Sequence, residues 1–550
     1  MESCSQIYTK KIVDSITHSL EQKHSSILFV KHYNTLNVPV ENIQTAVANS
    51  RSKIELLYHE FSSNRMQEAH EPFLGWVKQL YFKFYVKIPV YEFLERADVY
   101  YQSRSAIASY IMTGECERTE EVIAVEADYE KKQFALSLTK IFSYISKRHT
   151  LLFVLNRLHL AENSTLNFLI EFIRKPYENI SFLANYNEAY TVPPYMAETW
   201  KTLVRNVEEM NYMLDWNMQD AQTAANINES FESSISNFQN YLVLINNMIQ
   251  TLAIKQALHY LKTIYNKIVT DKANISARNK ARFYILYATA AFYDMNITTA
   301  LMMCEKLKNV NNKHPNIIYT FKYHYLLTLC EVYGGQPNLA KKNSDKCMKI
   351  AQKSESDRYI FSARLLKYIC KLDGWTNSYR WDRTIEDDEL DDFIEKALEY
   401  KMYNHLAHIL FFGCCNSKEN FVDDSKMCEE QESFKKAMSI AKMLKNDRLI
   451  ISAWMKNVFL AQGYGCFAYV DYYYRKCLEI IEGQNDIFQE ASIYNGLGFN
   501  RIVSEQFTRA NSYFNDALEL FYKVVKFIIF NRSVPPVGVG PAVKFAYIFQ

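Results

Sequence analysis

Glycine and proline are scarce in this chain of 550 residues, which contains 13 glycines and 11 prolines. No glycine occurs before Gly75, and none lies between Gly114 and Gly334. Glycine and proline mark turns and interrupt helices. Their scarcity over so long a stretch argues against a turn-rich β fold there and predicts continuous helices.

Long hydrophobic runs and an excess of either charge are also missing. The longest apolar stretches, such as HILFFGCC and FIIF, fall short of the roughly 18 residues that a membrane helix requires. The formal net charge is +2, and the basic residues are scattered without a Lys/Arg-rich block. The sequence therefore favours binding neither to nucleic acid nor to a membrane.

The 11 cysteines are spread along the chain without a CxxC pair, and no signal-peptide pattern opens the sequence. These features predict reduced thiols in the cytoplasm. His405, His408, Cys414 and Cys415 lie close together, but ligand pairs at the spacing of a structural zinc site are absent. We expect these four side chains to pack in a core, and we predict neither a metal nor a cofactor.

The first part of the chain alternates short apolar runs with longer amphipathic segments. The runs are SSILFV, KIELLYHEF, HTLLFVL and NISFLA, at residues 25–30, 53–61, 149–155 and 179–184. Buried strands alternating with helices predict a mainly parallel sheet covered on both faces. We predict an α/β domain over residues 1–195, which ends near the double proline, and a helical connector over residues 196–240.

A repeat replaces the strand signal in the following part of the chain. Aligned positions recur at Cys304, Ser344, Ile394, Phe434, Tyr474 and Phe514. The steps are about 40 residues, apart from one longer step that contains an insertion. A second column of mostly small residues lies three positions further on. This periodicity predicts a solenoid of stacked helix pairs over residues 241–525.

The last repeat, EASIYNGLGFNRIVSEQFTRANSYFNDALELF, resembles the tetratricopeptide family. Its signature residues are Leu497, Gly498, Phe507, Ala510, Phe514 and Ala517. The small residues allow close approach of the two helices, and the aromatic residues are expected to fill the space between repeats. Arg501 departs from the family, which prefers tyrosine there. The resemblance implies that the concave face of the solenoid binds a partner protein or peptide.

The stretch FVLNRLHLAENSTLNFL resembles the segment after the second nucleotide-binding strand of STAND-class signalling ATPases. The matching residues are Leu158, His159, Ala161, Glu162 and Ser164–Leu166. This family joins an AAA-like module to helical repeats, as in large bacterial transcriptional regulators and repeat-containing diguanylate cyclases. The resemblance implies a P-loop-NTPase-like α/β fold and a role in signalling.

Three nucleotide-handling positions depart from that family. Its acidic pair falls on Asn156 and Arg157, and an amide beside a guanidinium would hold magnesium poorly. Residues 31–42, where the phosphate loop is expected, contain no glycine. The arginine-bearing end of the family's next strand falls on Tyr186 and Asn187. We therefore expect a pseudo-ATPase, with no catalytic residue.

Other segments leave alternatives open. The acidic run Glu386–Asp392 is expected to be a solvated start of a helix rather than a site. Residues 526–550 form an atypical tail, either a natural cap or a truncated end. The chain could thus be the sensory half of a bacterial transcriptional regulator or a GGDEF-type cyclase, or an active ATP-dependent switch with an unusual phosphate site. Its composition hints at an AT-rich bacterial genome.

Overall fold

The computed structural model describes residues 27–32, 40–49, 54–175, 177–215, 237–266, 275–372, 390–411, 432–463, 467–481 and 487–530. They belong to two compact units, which divide after Ile409. The first unit contains a parallel sheet with helices and then a series of helices, and the second unit is helical. The predicted fold class, an α/β domain with an all-α repeat region, is confirmed.

Five parallel strands form the sheet in the order β2-β3-β4-β1-β5. Their bounds are β1 Ile27–His32, β2 Ile54–Glu60, β3 Thr150–Asn156, β4 Ile180–Asn187 and β5 Met213–Asp215. The first four strands coincide with the four apolar runs. β5 lies beyond residue 195, and its Met213 pairs with Phe29 of β1. The sheet therefore extends into the expected connector. The sequence did not reveal β5, because a strand of three residues is too short to show a hydrophobic pattern.

Seven helices accompany the strands in the described part of this domain. They are α1 Val40–Asn49, α2 Phe73–Leu80, α3 Val90–Arg96, α4 Tyr101–Thr113, α5 Ala127–Ser146, α6 Asn163–Phe172 and α7 Ala197–Glu209. Ile43 of α1 packs with Val30 and Leu152 on one face of the sheet. Helices α2, α5 and α6 pack around Phe153 on the other face. Connections between parallel strands are right-handed. The chain moves from β1 towards one edge of the sheet and from β3 towards the other edge. The helices of these two connections therefore lie on opposite faces.

Paired helices follow in both units, and consecutive members pack against each other. In the first unit they are α8 Phe238–Gln250, α9 Ile254–Ile264, α10 Ala277–Tyr293, α11 Ile297–Lys313, α12 Ile317–Tyr333, α13 Pro337–Lys353, α14 Asp357–Lys371, α15 Leu390–Glu399 and α16 Tyr403–Ile409. In the second unit they are α17 Glu432–Leu444, α18 Asp447–Gly463, α19 Phe467–Ile481, α20 Ile487–Val503 and α21 Phe507–Phe530. None of the described helices combines the length and apolarity needed to cross a bilayer.

Side-chain caps and small residues explain why these helices begin and pack where they do. Asn296 and Asn316 accept hydrogen bonds from main-chain N–H groups in the first turns of α11 and α12. Leu307, Cys347 and Ala397, from the second column of the repeat, are buried. In α15 the buried aromatic is Phe393, one position before the expected Ile394, which is half-buried.

The signature residues of the last repeat lie in α20 and α21 of the second unit. Leu497, Ala510 and Ala517 are buried. Phe507 is instead 65% exposed, so the expectation that it fills the space between repeats is wrong. It is the first residue of α21 and lies on a surface that no described helix covers. Phe514 packs over Gly498, where an added Cβ atom would lie 2.6 Å from its ring.

We expect Gly498→Ala to lower the free energy of unfolding of the second unit by about 1–3 kcal/mol, because the methyl group must displace the ring of Phe514. Urea denaturation monitored by circular dichroism measures the change. Gly75→Ala is the control, since its nearest neighbour outside the local backbone is the Tyr110 Oη atom at 4.0 Å. That variant should be as stable as the unmodified protein or slightly more stable.

Candidate functional site

The carboxyl ends of the strands carry Asn156, Arg157 and Asn187, the positions at which the family resemblance predicts nucleotide-handling residues. Glu60 at the end of β2 is in register with Asn156 at the end of β3. His32 at the end of β1 is in register with Asn187 at the end of β4. The direction of the chain connections reverses at β1, and ligands of open α/β sheets bind at such a point, beyond the carboxyl ends of the strands.

Asn156 and Arg157 occupy the position at which an acidic pair is expected. Asn156 is buried, and its main-chain oxygen accepts a hydrogen bond from Phe61 N at 3.0 Å. Arg157 has a left-handed backbone, with φ of 59°, and its N–H donates to Asn185 Oδ1 at 2.7 Å. Its Nη1 atom lies 3.9 Å from Glu60 Oε1. The tip of β3 thus presents a guanidinium that is paired within the edge.

Lys31, one residue before the end of β1, is also paired. Its Nζ atom lies 3.1 Å from Glu188 Oε2. The chain after β4 is held beside β1, because Glu188 N donates to His32 O at 2.9 Å. Residues 33–39, which include most of the expected phosphate loop, lie outside the described residues. The described positive charges next to that segment therefore already face carboxylates.

His159 and Asn187 close the same edge from the side of β4. Asn187 N donates to His159 Nδ1 at 3.1 Å, and Asn187 Oδ1 accepts from Ala189 N at 2.9 Å. Burial, helped by the nearby His32 and Arg157, lowers the pKa of His159 to about 3. The imidazole is therefore neutral near pH 7. Its Nδ1 atom already accepts a main-chain hydrogen bond, so this nitrogen is not available to accept a proton as a general base.

The described edge does not fit a bound magnesium ion. Magnesium needs carboxylate or phosphate oxygens in an octahedral arrangement. The acids at this edge, Glu60 and Glu188, face Arg157 and Lys31. Across the described ranges, no group of three or more His, Cys, Asp or Glu side chains could hold a metal ion.

In this structure the polar residues of the motif after β3 join the α/β domain to α9. Glu162 is buried and accepts hydrogen bonds from the hydroxyl groups of Tyr195 and Tyr260, the second at 2.6 Å. Burial raises the pKa of Glu162, against the lowering effect of these hydrogen bonds. The ring of Tyr195 also stacks on His259 of α9, with centroids 4.3 Å apart.

Ser164 and the loop after β2 complete this joint. Ser164 Oγ donates to Gln256 Oε1 of α9 at 2.7 Å and accepts from His70 N at 2.8 Å. Gln256 Nε2 donates to Gln67 O at 3.2 Å. Thr165 Oγ1 donates to the main-chain oxygen of Glu71 at 2.6 Å. The residues that carry the family resemblance thus hold three chain segments together, and we name this set the α9 joint.

Sequence reasoning missed the partners of the α9 joint. Tyr195, Gln256 and Tyr260 carry no local signature, and Tyr260 is 98 residues from Glu162. The sequence also predicted that His405 and His408 pack in a core with Cys414 and Cys415. Both histidines are buried, but they contact the carboxylates of Glu120 and Glu126. Cys414 and Cys415 lie outside the described residues.

No protein-family model and no curated protein matches the sequence. Among solved structures, the chain is similar to a signal transduction ATPase with numerous domains (STAND) that has a tetratricopeptide repeat sensor, from Pyrococcus horikoshii. The two are 11% identical with a TM-score of 0.39, over 94% of this chain and 96% of the other. At this score the similarity carries no conclusion about activity or ligand.

We expect Tyr260→Phe to lower the free energy of unfolding by about 1–3 kcal/mol, because it removes one of the two hydroxyl donors to the buried Glu162 and leaves Gln67 N without its acceptor. Urea denaturation of the full chain measures the loss. Tyr287→Phe is the matched control in α10. Within the described residues the Tyr287 hydroxyl makes no hydrogen bond, so its removal should change stability by less than about 0.5 kcal/mol. Equal effects of the two changes would contradict the assigned role of the joint.

His70 in the α9 joint should make stability depend on pH. Burial lowers the pKa of His70 from 6.5 to about 4, so the unfolded chain binds a proton that the folded chain does not. Stability is therefore lost as pH falls from about 6.5 towards 4, by up to roughly 1.4 kcal/mol per pH unit. His70→Gln should remove this part of the slope. Identical pH profiles of the unfolding free energy for both proteins would refute the assignment.

Proposed function

We propose that the protein is a regulatory signalling scaffold, in which tetratricopeptide-like helix pairs bind a partner protein or peptide. In this proposal the α/β domain has lost the residues of an ATPase. The observation that carries it is the end of β3, where Asn156 and Arg157 stand in place of an acidic pair and the Arg157 guanidinium lies 3.9 Å from Glu60.

The chemistry of this edge explains why ATP turnover is not expected. An amide can bind a water molecule but supplies no negative charge to a magnesium ion, and the neighbouring guanidinium repels the cation. Lys31 is paired with Glu188 and is not free to hold a phosphate group. Residues 31–42 contain no glycine, so the main-chain N–H groups lack the residue type that usually allows them to converge on phosphate oxygens.

The α9 joint supports a scaffold role for the α/β domain. Glu162 and Ser164, from the motif after β3, hold α9 through Tyr260 and Gln256. A domain kept for this purpose must preserve its fold and its contacts to the helix pairs, while its sheet edge is free to change. Solenoids of helix pairs offer extended surfaces to extended ligands.

We expect the purified full chain to show no magnesium-dependent ATP hydrolysis above the background without protein. Asn156→Asp should also stay at background, because Arg157 remains beside the new carboxylate and the phosphate loop still lacks glycine. Release of inorganic phosphate, followed over hours with and without magnesium, measures both proteins.

Circular dichroism controls for the fold of Asn156→Asp. Magnesium-dependent phosphate release by the unmodified chain would overturn the proposed loss of activity. Tight ATP binding in isothermal titration calorimetry would instead favour an active switch with an unusual phosphate site.

A further inference from the structure

The segment between α4 and α5 crosses the helix pairs of the first unit. Together with the first turn of α5 it forms Cys116–Glu130, a stretch that is rich in glutamate yet largely buried. Its contacts fall on α8, α12 and α16, three helices of the first unit. We name the surface formed by these helices the first-helix face, and we name Cys116–Glu130 the acidic segment.

The acidic segment begins on α8. Cys116 N donates to Asn247 Oδ1 at 2.7 Å, and Asn247 Nδ2 donates to the main-chain oxygen of Gly114 at 3.1 Å. Arg118 Nε donates to the main-chain oxygen of Gln250 at 2.6 Å. The Asn247 amide therefore binds the segment as it would bind an extended peptide, through main-chain groups.

The next contact is with α12. Glu121 accepts a hydrogen bond from the Tyr325 hydroxyl at 2.9 Å, and Lys322 Nζ lies 3.7 Å from the same carboxylate. The neighbouring Val122 packs in the apolar cluster of the helix pairs. The first-helix face here offers one hydroxyl donor and one cation to a carboxylate, beside an apolar surface.

The contacts with α16 enclose two carboxylates. Glu120 accepts from the main-chain N–H groups of Asn404 and His405, at 3.0 and 2.6 Å, and lies 2.7 Å from His405 Nδ1. Glu126 accepts from Asn404 Nδ2 at 2.7 Å and lies 3.0 Å from His408 Nε2. Side-chain donors and main-chain donors together replace the water that these glutamates lose on burial.

The charge state of this region suits carboxylate binding. Burial lowers the pKa of His405, but the hydrogen bond and the negative charge of Glu120 outweigh it, so the pKa is raised overall. A raised pKa increases the fraction of His405 that is cationic near neutral pH. Glu120, Glu121 and Glu126 thus each accept hydrogen bonds from specific protein donors. The carboxylates of a solvated acidic loop would instead be hydrated by water.

We propose that the first-helix face is a receptor for acidic, extended peptides, that the chain's own acidic segment occupies it, and that an acidic partner binds by replacing this segment. The inference rests on the proposed scaffold function and specifies the chemistry of its partner. Tyr325, Asn404, His405 and His408 are the residues that bind carboxylates of the incoming peptide.

The chain's own segment has the advantage of being tethered, because a linked ligand acts at an effective concentration of roughly millimolar. A free peptide therefore needs either a similar concentration or a weakened segment. Replacing Glu120 and Glu126 by glutamine preserves side-chain shape and removes the charge. The double change Glu120→Gln and Glu126→Gln should open the first-helix face to an added peptide.

The probe is a fluorescein-labelled peptide of residues 119–130, TEEVIAVEADYE. Fluorescence anisotropy should show at least tenfold tighter binding to the full-length double variant than to the unmodified protein. The peptide with glutamine at both equivalent positions should not bind. The matched control, Glu115→Gln with Glu117→Gln, changes two exposed carboxylates of the same region and should behave like the unmodified protein. A folded double variant that fails to bind the probe overturns the proposal.

A second measurement uses the unmodified chain and does not depend on the folding of a variant. The Arg118 side chain is only 5% exposed, so trypsin should cut after it slowly. The unlabelled peptide contains no lysine or arginine, and at millimolar concentration it should speed this cut at least tenfold, as measured by mass spectrometry. An unchanged rate means that the acidic segment is a fixed part of the fold and overturns the proposal.

The outcomes separate this inference from the scaffold proposal. A partner that stays bound to the full chain in millimolar peptide would refute the acidic-peptide receptor and leave the scaffold role intact. ATP hydrolysis by the unmodified chain would refute the loss of activity and leave the peptide measurements unaffected.

Discussion

Buried carboxylates that take their hydrogen bonds from distant parts of the chain connect the α/β domain to the helix pairs of the first unit. Glu162 depends on Tyr260, and Glu120 depends on His405. Removing a hydrogen-bond partner from a buried polar group typically costs about 1–3 kcal/mol, and more where the group is charged, because the lost hydrogen bond is not replaced by water. The geometry of the donors therefore fixes which helices can lie against the domain.

The contacts that stabilise the α/β fold are separate from the edge where chemistry would occur. The core consists of apolar residues from both faces of the sheet, with Phe153 on one face and Val30 on the other. The carboxyl edge contributes pairs such as Lys31 with Glu188, which are partly exposed and contribute little to stability. The α/β domain can consequently change its edge residues while its core and its joint to α9 persist.

The sequence pattern predicted four of the five described strands and the helical repeats, but it did not predict the polar contacts between them. Four apolar runs located β1 to β4, and the small residues of the repeat located the buried positions of α11 and α13. β5 was missed because three residues carry no periodicity. The polar joints were missed because Gln256 and Tyr260 look like ordinary helix residues until the fold places them beside Glu162. The histidines of α16 were assigned to a core because their acidic partners are far away in the sequence.

The separation in sequence between Glu120 and His405, 285 residues, has a consequence for synthesis. At about 5–20 residues per second, a ribosome needs roughly 15–60 s to make the chain between them. During that time the α/β domain can collapse around its sheet, but the glutamates after α4 must remain hydrated, since their donors do not yet exist. Their negative charge keeps this stretch soluble while it waits, and completion of α16 then removes it from water.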